Sequence, residues 1–271
     1  MVQGKGVLMG KAGGIYHAAA LNDFFKEVSY LALFTGRFFR EVLPPPYELR
    51  QFIRQSYLIA FRSFPLVGIT GFIMGLVLTI QTQPILTQFG AEAWLPAMVS
   101  LSLIREIGPV ITALICAGEV SSSMGAELGS MKVTEQIDAM QVSGTNPFKY
   151  LVVTRVLAAT LMVPLLVIIG DAVGLCGSFV GVNLNGNISL HLFFSKAMGT
   201  LNFSDLLPAF VKTFFFGFAI GLVGCFKGYY SSKGTEGVGK AANSAVVIAS
   251  LLVFIIDMIA VQITSLFFSQ A

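Results

Sequence analysis

The sequence predicts an all-α membrane protein, with an interfacial amphipathic helix near the N-terminus followed by about five transmembrane helices. Three observations predict this. Hydrophobic residues make up 55% of the 271 residues and charged residues only 11%, whereas a soluble domain carries about 25% charged residues. The mean hydropathy is +0.80. Five apolar runs, at roughly 63–82, 94–118, 150–182, 205–227 and 243–268, reach the length of about 20 residues that a helix needs to cross a bilayer. The 28 glycines fit the same class, because glycine is commoner in membrane helices than in soluble ones.

Residues 1–22 read as a loose tail, with apolar runs too short for a signal-peptide core. In 23–43, Phe24, Val28, Leu31, Phe38 and Val42 recur at helical spacing among Lys26, Glu27, Arg37, Arg40 and Glu41. The chain offers no soluble domain for this helix to dock on, so it is expected at the membrane surface. Pro44-Pro45-Pro46 ends it, since proline lacks the amide donor and clashes with the preceding turn. A second short helix, 47–62, carries Arg50, Arg54 and Arg62 towards the first span. The expected organisation is a cytoplasmic tail with interfacial and elbow helices over 1–62, then a membrane domain over 63–271.

The second span, WLPAMVSLSLIREIGPVITALICAG over 94–118, has two adjacent charges near its middle, Arg105 and Glu106. A charge at the bilayer centre costs about 2.5–3.5 kcal/mol on insertion scales, and it persists where it faces protein, water or a polar ligand. Asp171 and Asp257 also lie at membrane depth. Such charges point to a transporter rather than an anchor. Neighbouring residues on a helix diverge by about 100°. Arg105 and Glu106 therefore cannot both face one cavity squarely, and one is expected to pair inside the bundle.

The loop over 119–150 is rich in chemistry. Leu128, Met131, Ile137 and Met140 offer apolar contacts at helical spacing, and Glu127, Lys132, Glu135 and Asp138 offer charge. A short amphipathic helix of this kind docks into a groove on another protein. The third span is long enough to tilt or to extend past the bilayer. It carries a glycine stripe, Gly170, Gly174, Gly177 and Gly181; the fourth carries Gly217, Gly221, Gly224 and Gly228, and the first carries Gly71 and Gly75. Glycine stripes let helices approach closely, either within one chain or between two copies. Pro65, Pro109, Pro164 and Pro208 lie in or near spans, where neighbouring helices re-satisfy the freed carbonyls.

Lysine and arginine placement sets orientation. Eight lie in 1–62; Lys132, Lys149 and Arg155 follow the second span; Lys227, Lys233 and Lys240 follow the fourth; the opposite side has only Lys196 and Lys212. The N-terminus and loops 119–150 and 228–242 are therefore expected in the cytoplasm, with loops 83–93 and 183–204 and the C-terminus outside. The run GTEGVGKA over 234–241 approaches a phosphate-binding loop. However, Ala241 replaces the hydroxyl residue and a membrane helix precedes it instead of a strand, so it reads as a cytoplasmic loop. Cys116, Cys176 and Cys225, His17 and His191 have no metal-ligand spacing. The cysteines read as small buried hydrophobes.

Several motifs, in order, resemble the MlaE permease family: LSLIREIGPVITAL, the AG-x-VSSSMGA run, ELGSMKVTEQIDAM, NPFKYLVVTRVLA and GTEGVGKAANSAVV. The resemblance covers about residues 45–268. It implies the permease bundle of an ABC transporter, similar to the exporter type, that moves phospholipids between the bacterial inner membrane and a periplasmic Mce-domain protein. It also implies a homodimer, a separate cytoplasmic ATPase that binds ATP and Mg, and room for a small cytoplasmic regulatory subunit. The permease itself is expected to be no enzyme and to bind no cofactor directly. By the same resemblance Arg105 and Glu106 border the lipid cavity, and Glu127, Met131, Lys132, Glu135 and Asp138 contact the ATPase. Glu119 departs from the family, which usually has arginine there. Two other readings of the charged spans are an ion-coupled secondary carrier, using Arg105, Glu106, Asp171 and Asp257 as a relay, and a non-transporting scaffold.

Overall fold

The structure is a computed structural model that describes residues 25–45, 47–184, 188–232 and 234–268. The tail over 1–22, with Lys5, Lys11 and His17, lies outside the described residues, as does Lys233. The described residues form eight helices and no strand.

Helix α1 covers 25–42 and belongs to a separate unit that ends at Pro45. Its charges fall between apolar positions, and it stops where the three prolines begin.

The second unit starts at Pro46. Helix α2, Leu49–Gln88, is one continuous helix of 40 residues. The separate short helix expected over 47–62 is therefore absent, and residues 49–62 form the first turns of α2. No helix breaker lies between Arg62 and the first span, and Pro65 and Pro84 sit inside the helix without ending it, as neighbours in a membrane bundle permit. At 1.5 Å per residue α2 is about 60 Å long, roughly twice the hydrocarbon thickness. One end must therefore project beyond the membrane.

Helix α3 covers Glu92–Val133 and α5 covers Phe148–Asn183. Between them lies the short helix α4, Gln136–Val142. Helix α6, Leu190–Gly199, is followed by α7, Phe203–Tyr229, and α8, Thr235–Phe268. The five long helices α2, α3, α5, α7 and α8 are each apolar and long enough to cross a membrane. In their most apolar stretches 61% of α5 and 56% of α7 is buried, against 22% of α2 and 17% of α8. The order of burial puts α5 and α7 at the centre and α2 and α8 on the outside.

The glycine stripes set this arrangement. A Cβ at Gly71 would lie 2.6 Å from the Gly170 carbonyl oxygen, and one at Gly75 would overlap the carbonyl of Gly174. Between the same two helices Thr79 and Ser178 share a hydroxyl hydrogen bond of 2.8 Å. On α7, Gly217 meets Ala159 of α5, while Gly224 and Gly228 meet Ser121 and Gly125 of α3. The stripes are thus packing faces within the chain. Close backbone approach is what holds helices together where lipid removes the hydrophobic drive.

Helix α6 is too short to span. Its start is capped by Ser189, whose Oγ accepts from the Leu192 amide. Phe193 and Ala197 pack with Leu95, Val99 and Val182, so α6 ties the start of α3 to the end of α5. The segment 234–241 forms the first turns of α8, with Lys240 paired to Glu236 at 2.7 Å. Of the cysteines, Cys116 and Cys225 are buried but Cys176 faces outward on α5, contrary to the expectation for all three.

Candidate functional site

Arg105 and Glu106 lie in a π-helical segment of α3, Leu103–Ile107. Pro109 explains it. Proline offers no amide hydrogen, and its ring crowds the carbonyl four residues earlier, that of Arg105; a widened turn just before it relieves both problems. Such π segments are frequent at functional sites. At Gly108 a side chain would run into the carboxylate of Asp171 on α5. The buried Oδ1 of Asp171 has no hydrogen-bond partner among the described residues.

The two charges of the second span part company. Glu106 Oε2 accepts from Lys212 Nζ of α7 at 2.6 Å, and Lys212 also donates to Asp257 Oδ1 of α8 at 2.9 Å. Lys212 is only 4% exposed, so a buried ammonium ties three helices together. Arg105 turns elsewhere, with Nη1 3.4 Å from Asp205 Oδ1 at the start of α7. That contact exceeds the usual N–H···O range of 2.7–3.2 Å. The Arg105 side chain is 44% exposed and that of Glu106 39%. The expected pairing of one member inside the bundle therefore falls to Glu106.

Arg105, Glu106, Asp205 and Lys212 line a small charged cavity. It adjoins an apolar groove of about 440 Å³ between α7 and α8, lined by Val211, Phe215, Ile256, Ile259 and Ile263. The two share Pro208, Lys212, Ala260 and Thr264. The arrangement can hold an amphiphile, with its charged end in the cavity and its chain along the groove.

At the other end of α3 is an elbow. Thr134 and Glu135 join α3 to α4, and Glu135 is left-handed at φ 59°. Lys132 Nζ reaches Asp138 Oδ1 across the bend at 3.0 Å. Behind it, Arg155 of α5 is 1% exposed and pairs with Glu127 Oε1 at 2.9 Å, while its Nη1 donates to the Leu151 carbonyl at 2.9 Å. A further π segment, Phe148–Val153, precedes Arg155.

The model of the MlaE permease family matches residues 52–263. A probable ABC transporter permease protein of Rickettsia typhi is 42% identical over 86% of this chain and 90% of its own length. The intermembrane phospholipid transport system permease protein MlaE of Haemophilus influenzae is 35% identical over 76% of this chain and 80% of its own. A probable ABC transporter permease protein of Synechocystis is 34% identical over 87% and 90%.

The chain belongs to the MlaE permease family.

It is accordingly a multi-pass membrane protein and the permease subunit of an ABC transporter, a transport component. Within this MlaE-type chain the site residues chosen from sequence separate into two groups. Arg105 and Glu106 stand at the charged cavity. Met131, Lys132, Glu135 and Asp138 lie on the elbow, with Glu135 and Asp138 exposed. Glu127, also expected on the outer surface, is half exposed and turns one oxygen inward to Arg155. Leu128 and Ile137, expected as contacts for a partner, are buried within the chain instead; the helical spacing that exposed them in sequence also serves the bundle.

Three charged side chains paired at these places escape a residue-by-residue reading. Lys212 and Arg155 look like flanking cations in a topology count, yet both are buried within helices. Asp205 lies at the mouth of the fourth span, where it resembles a helix-start acid. The available signal was charge balance: Glu106, Asp171 and Asp257 lie in apolar spans and need cations there, and Lys212 lies within the apolar run 205–227 rather than at its end.

Glu119 sits in a third π segment, Ala117–Ser121. It borders a cavity of about 30 Å³ with Gln55, Arg62, Ser63, Ser123 and Glu127. Arg62 Nη1 donates to Ser123 Oγ there at 3.2 Å. The guanidinium beside this cavity is therefore contributed by α2.

Proposed function

We propose that this chain is the transmembrane subunit of an ATP-driven transporter that moves phospholipids between the bacterial inner membrane and a periplasmic Mce-domain partner. The observation that carries the reading is the charged cavity opening onto an apolar groove, joined through Lys212, Pro208, Ala260 and Thr264. A phospholipid has the matching polarity: a phosphate for Arg105, which binds such groups through paired charge-assisted hydrogen bonds, and acyl chains for the groove. The Haemophilus relative is an intermembrane phospholipid transport system permease protein, which supports the same substrate class.

The working assembly in this reading is a homodimer. Each copy seats a cytoplasmic ABC ATPase on the elbow formed by α3 and α4, where Met131, Lys132, Glu135 and Asp138 cluster. ATP and Mg are held by that ATPase, and the permease supplies no cofactor site. A small cytoplasmic regulatory subunit is compatible with the same face. The lysine and arginine distribution supports a cytoplasmic N-terminus and a periplasmic C-terminus.

Reconstitution tests this. The complex is purified with its ATPase, placed in vesicles with labelled phospholipid, and lipid movement to an acceptor is followed with and without ATP. ATP-dependent movement is expected. Transport of an ion or small solute driven by a gradient without ATP would overturn the reading in favour of a secondary carrier. An assembled complex that moves nothing would favour a scaffold.

A further inference from the structure

We infer that the charged cavity selects zwitterionic glycerophospholipids of the phosphatidylethanolamine type over anionic ones such as phosphatidylglycerol. This rests on the phospholipid reading above and adds a headgroup preference to it.

The preference follows from which charges are already engaged. Lys212 is buried and donates to two carboxylates, at 2.6 Å and 2.9 Å, so it has little to offer a ligand. Arg105 is different. Its one protein contact is long, at 3.4 Å, and its side chain is 44% exposed; a guanidinium has five N–H donors. Among the described residues of the cavity, Arg105 is the cation free to take a phosphate. Glu106 gives Oε2 to Lys212, and its side chain is still 39% exposed. It can accept a further donor. Asp205, 23% exposed, faces the same cavity.

Formal charge gives the same answer. Arg105 and Lys212 face Glu106, Asp205 and Asp257, an excess of one negative charge among these side chains. A headgroup with only a phosphate adds a second negative charge where water is scarce. A headgroup with phosphate and ammonium adds none, and its ammonium meets an acceptor. Like-charge juxtaposition is how binding sites reject the wrong ligand. Arg105 and Glu106 point to different partners but line the same cavity, so phosphate and ammonium each meet an opposite charge within it.

The test is bound-lipid composition. The complex with its ATPase is reconstituted in vesicles with equal amounts of phosphatidylethanolamine and phosphatidylglycerol and re-extracted gently. Bound lipid is then quantified by mass spectrometry against the vesicle ratio. The wild-type complex should enrich phosphatidylethanolamine by about fivefold, the factor given by one ion contact of roughly 1 kcal/mol. Glu106→Gln, which keeps an oxygen for Lys212, should bring the bound ratio back to that of the vesicles. Asp205→Asn, away from the Lys212 triad, should lower the enrichment in the same direction. Bound lipid at the vesicle ratio in the wild type, enrichment of phosphatidylglycerol, or unchanged enrichment in both variants would overturn the inference. Failure of the phospholipid reading itself looks different: total bound lipid would be the same in the wild type and in Arg105→Ala.

Discussion

Lys212 lies 2.9 Å from Asp257 across the α7–α8 contact and is an ammonium shared between two carboxylates. It neutralises Glu106 and Asp257 together, and neither has another cation within ion-pair distance among the described residues. Removing one partner of a buried ion pair typically costs about 3–5 kcal/mol. Lys212→Met is therefore expected to lower the melting temperature of the detergent-purified protein sharply, by the low end of that range because Glu106 is partly exposed. Adding Glu106→Gln and Asp257→Asn should recover most of the loss, since an uncharged set needs no counter-ion. A triple variant as unstable as Lys212→Met would show that the triad does not act as a unit.

Gly75→Ala should be harmful and Gly68→Ala harmless, although both lie on α2. At Gly75 a Cβ would overlap the Gly174 carbonyl, whereas at Gly68 nothing lies within 4 Å. Overpacking costs about 1–3 kcal/mol, and a backbone neighbour gives way poorly, so Gly75→Ala should reach at least that. Gly68→Ala should be neutral or gain up to about 1 kcal/mol from helix propensity. Thermal unfolding of the two purified variants checks the contrast.

At the elbow, Glu135→Lys and Asp138→Lys should each weaken association with the ATPase by placing unmatched charge in the interface. The structure separates the two. Asp138 also closes the bend through Lys132 at 3.0 Å, so Asp138→Lys opposes two ammonium groups, while Glu135→Lys leaves the bend intact. Lys132→Asp combined with Asp138→Lys should restore the bend but not the outer charge pattern. Co-purification of the ATPase with each variant reads this out; full association throughout would mean that the elbow is not the docking element.

Arg105→Ala should leave an assembled complex, because its contact to Asp205 is long and both groups are partly exposed. Exposed pairs of this kind are worth about 0–1 kcal/mol. Bound phospholipid and transport should fall, and Arg105→Lys should rescue them only in part, since an ammonium lacks the planar fork. A complex that fails to assemble after Arg105→Ala would make Arg105 a structural residue.

Orientation can be read with single cysteines in a background lacking Cys116, Cys176 and Cys225. Position 202, between α6 and α7, should react with an impermeant thiol reagent in intact cells. Position 235, at the start of α8, should react only after lysis. Both residues are exposed, so accessibility alone would not separate them. The reverse pattern would invert the topology.

The spans were legible because each is a long, mostly apolar run, and burial in lipid leaves little freedom in how such a run is used. The glycine stripes were legible as faces but not as partners; only the pairing of Gly71 with Gly170 and Gly75 with Gly174 shows which helices they join. The charged site was half legible. Arg105 and Glu106 stand out in an apolar run, whereas Lys212 reaches Glu106 across 106 residues of chain, a relation that local periodicity does not contain. The continuity of α2 through position 62 was hidden because arginines and a nearby proline mark a boundary in soluble helices but not in this one.

The π segments at Leu103–Ile107 and Ala117–Ser121 make α3 a shaft with two built-in phase adjustments. Each widened turn admits an extra residue without rotating the rest of the helix. Losing or gaining a residue in the regular turns between them, which have no such slack, would swing every later position of α3 by about 100°. Glu127 would leave Arg155, and the small residues beside Gly224 and Gly228 would turn off α7. The chain should accordingly tolerate many substitutions along α3 but almost no change in its length between the cavity and the elbow, because there length is angle.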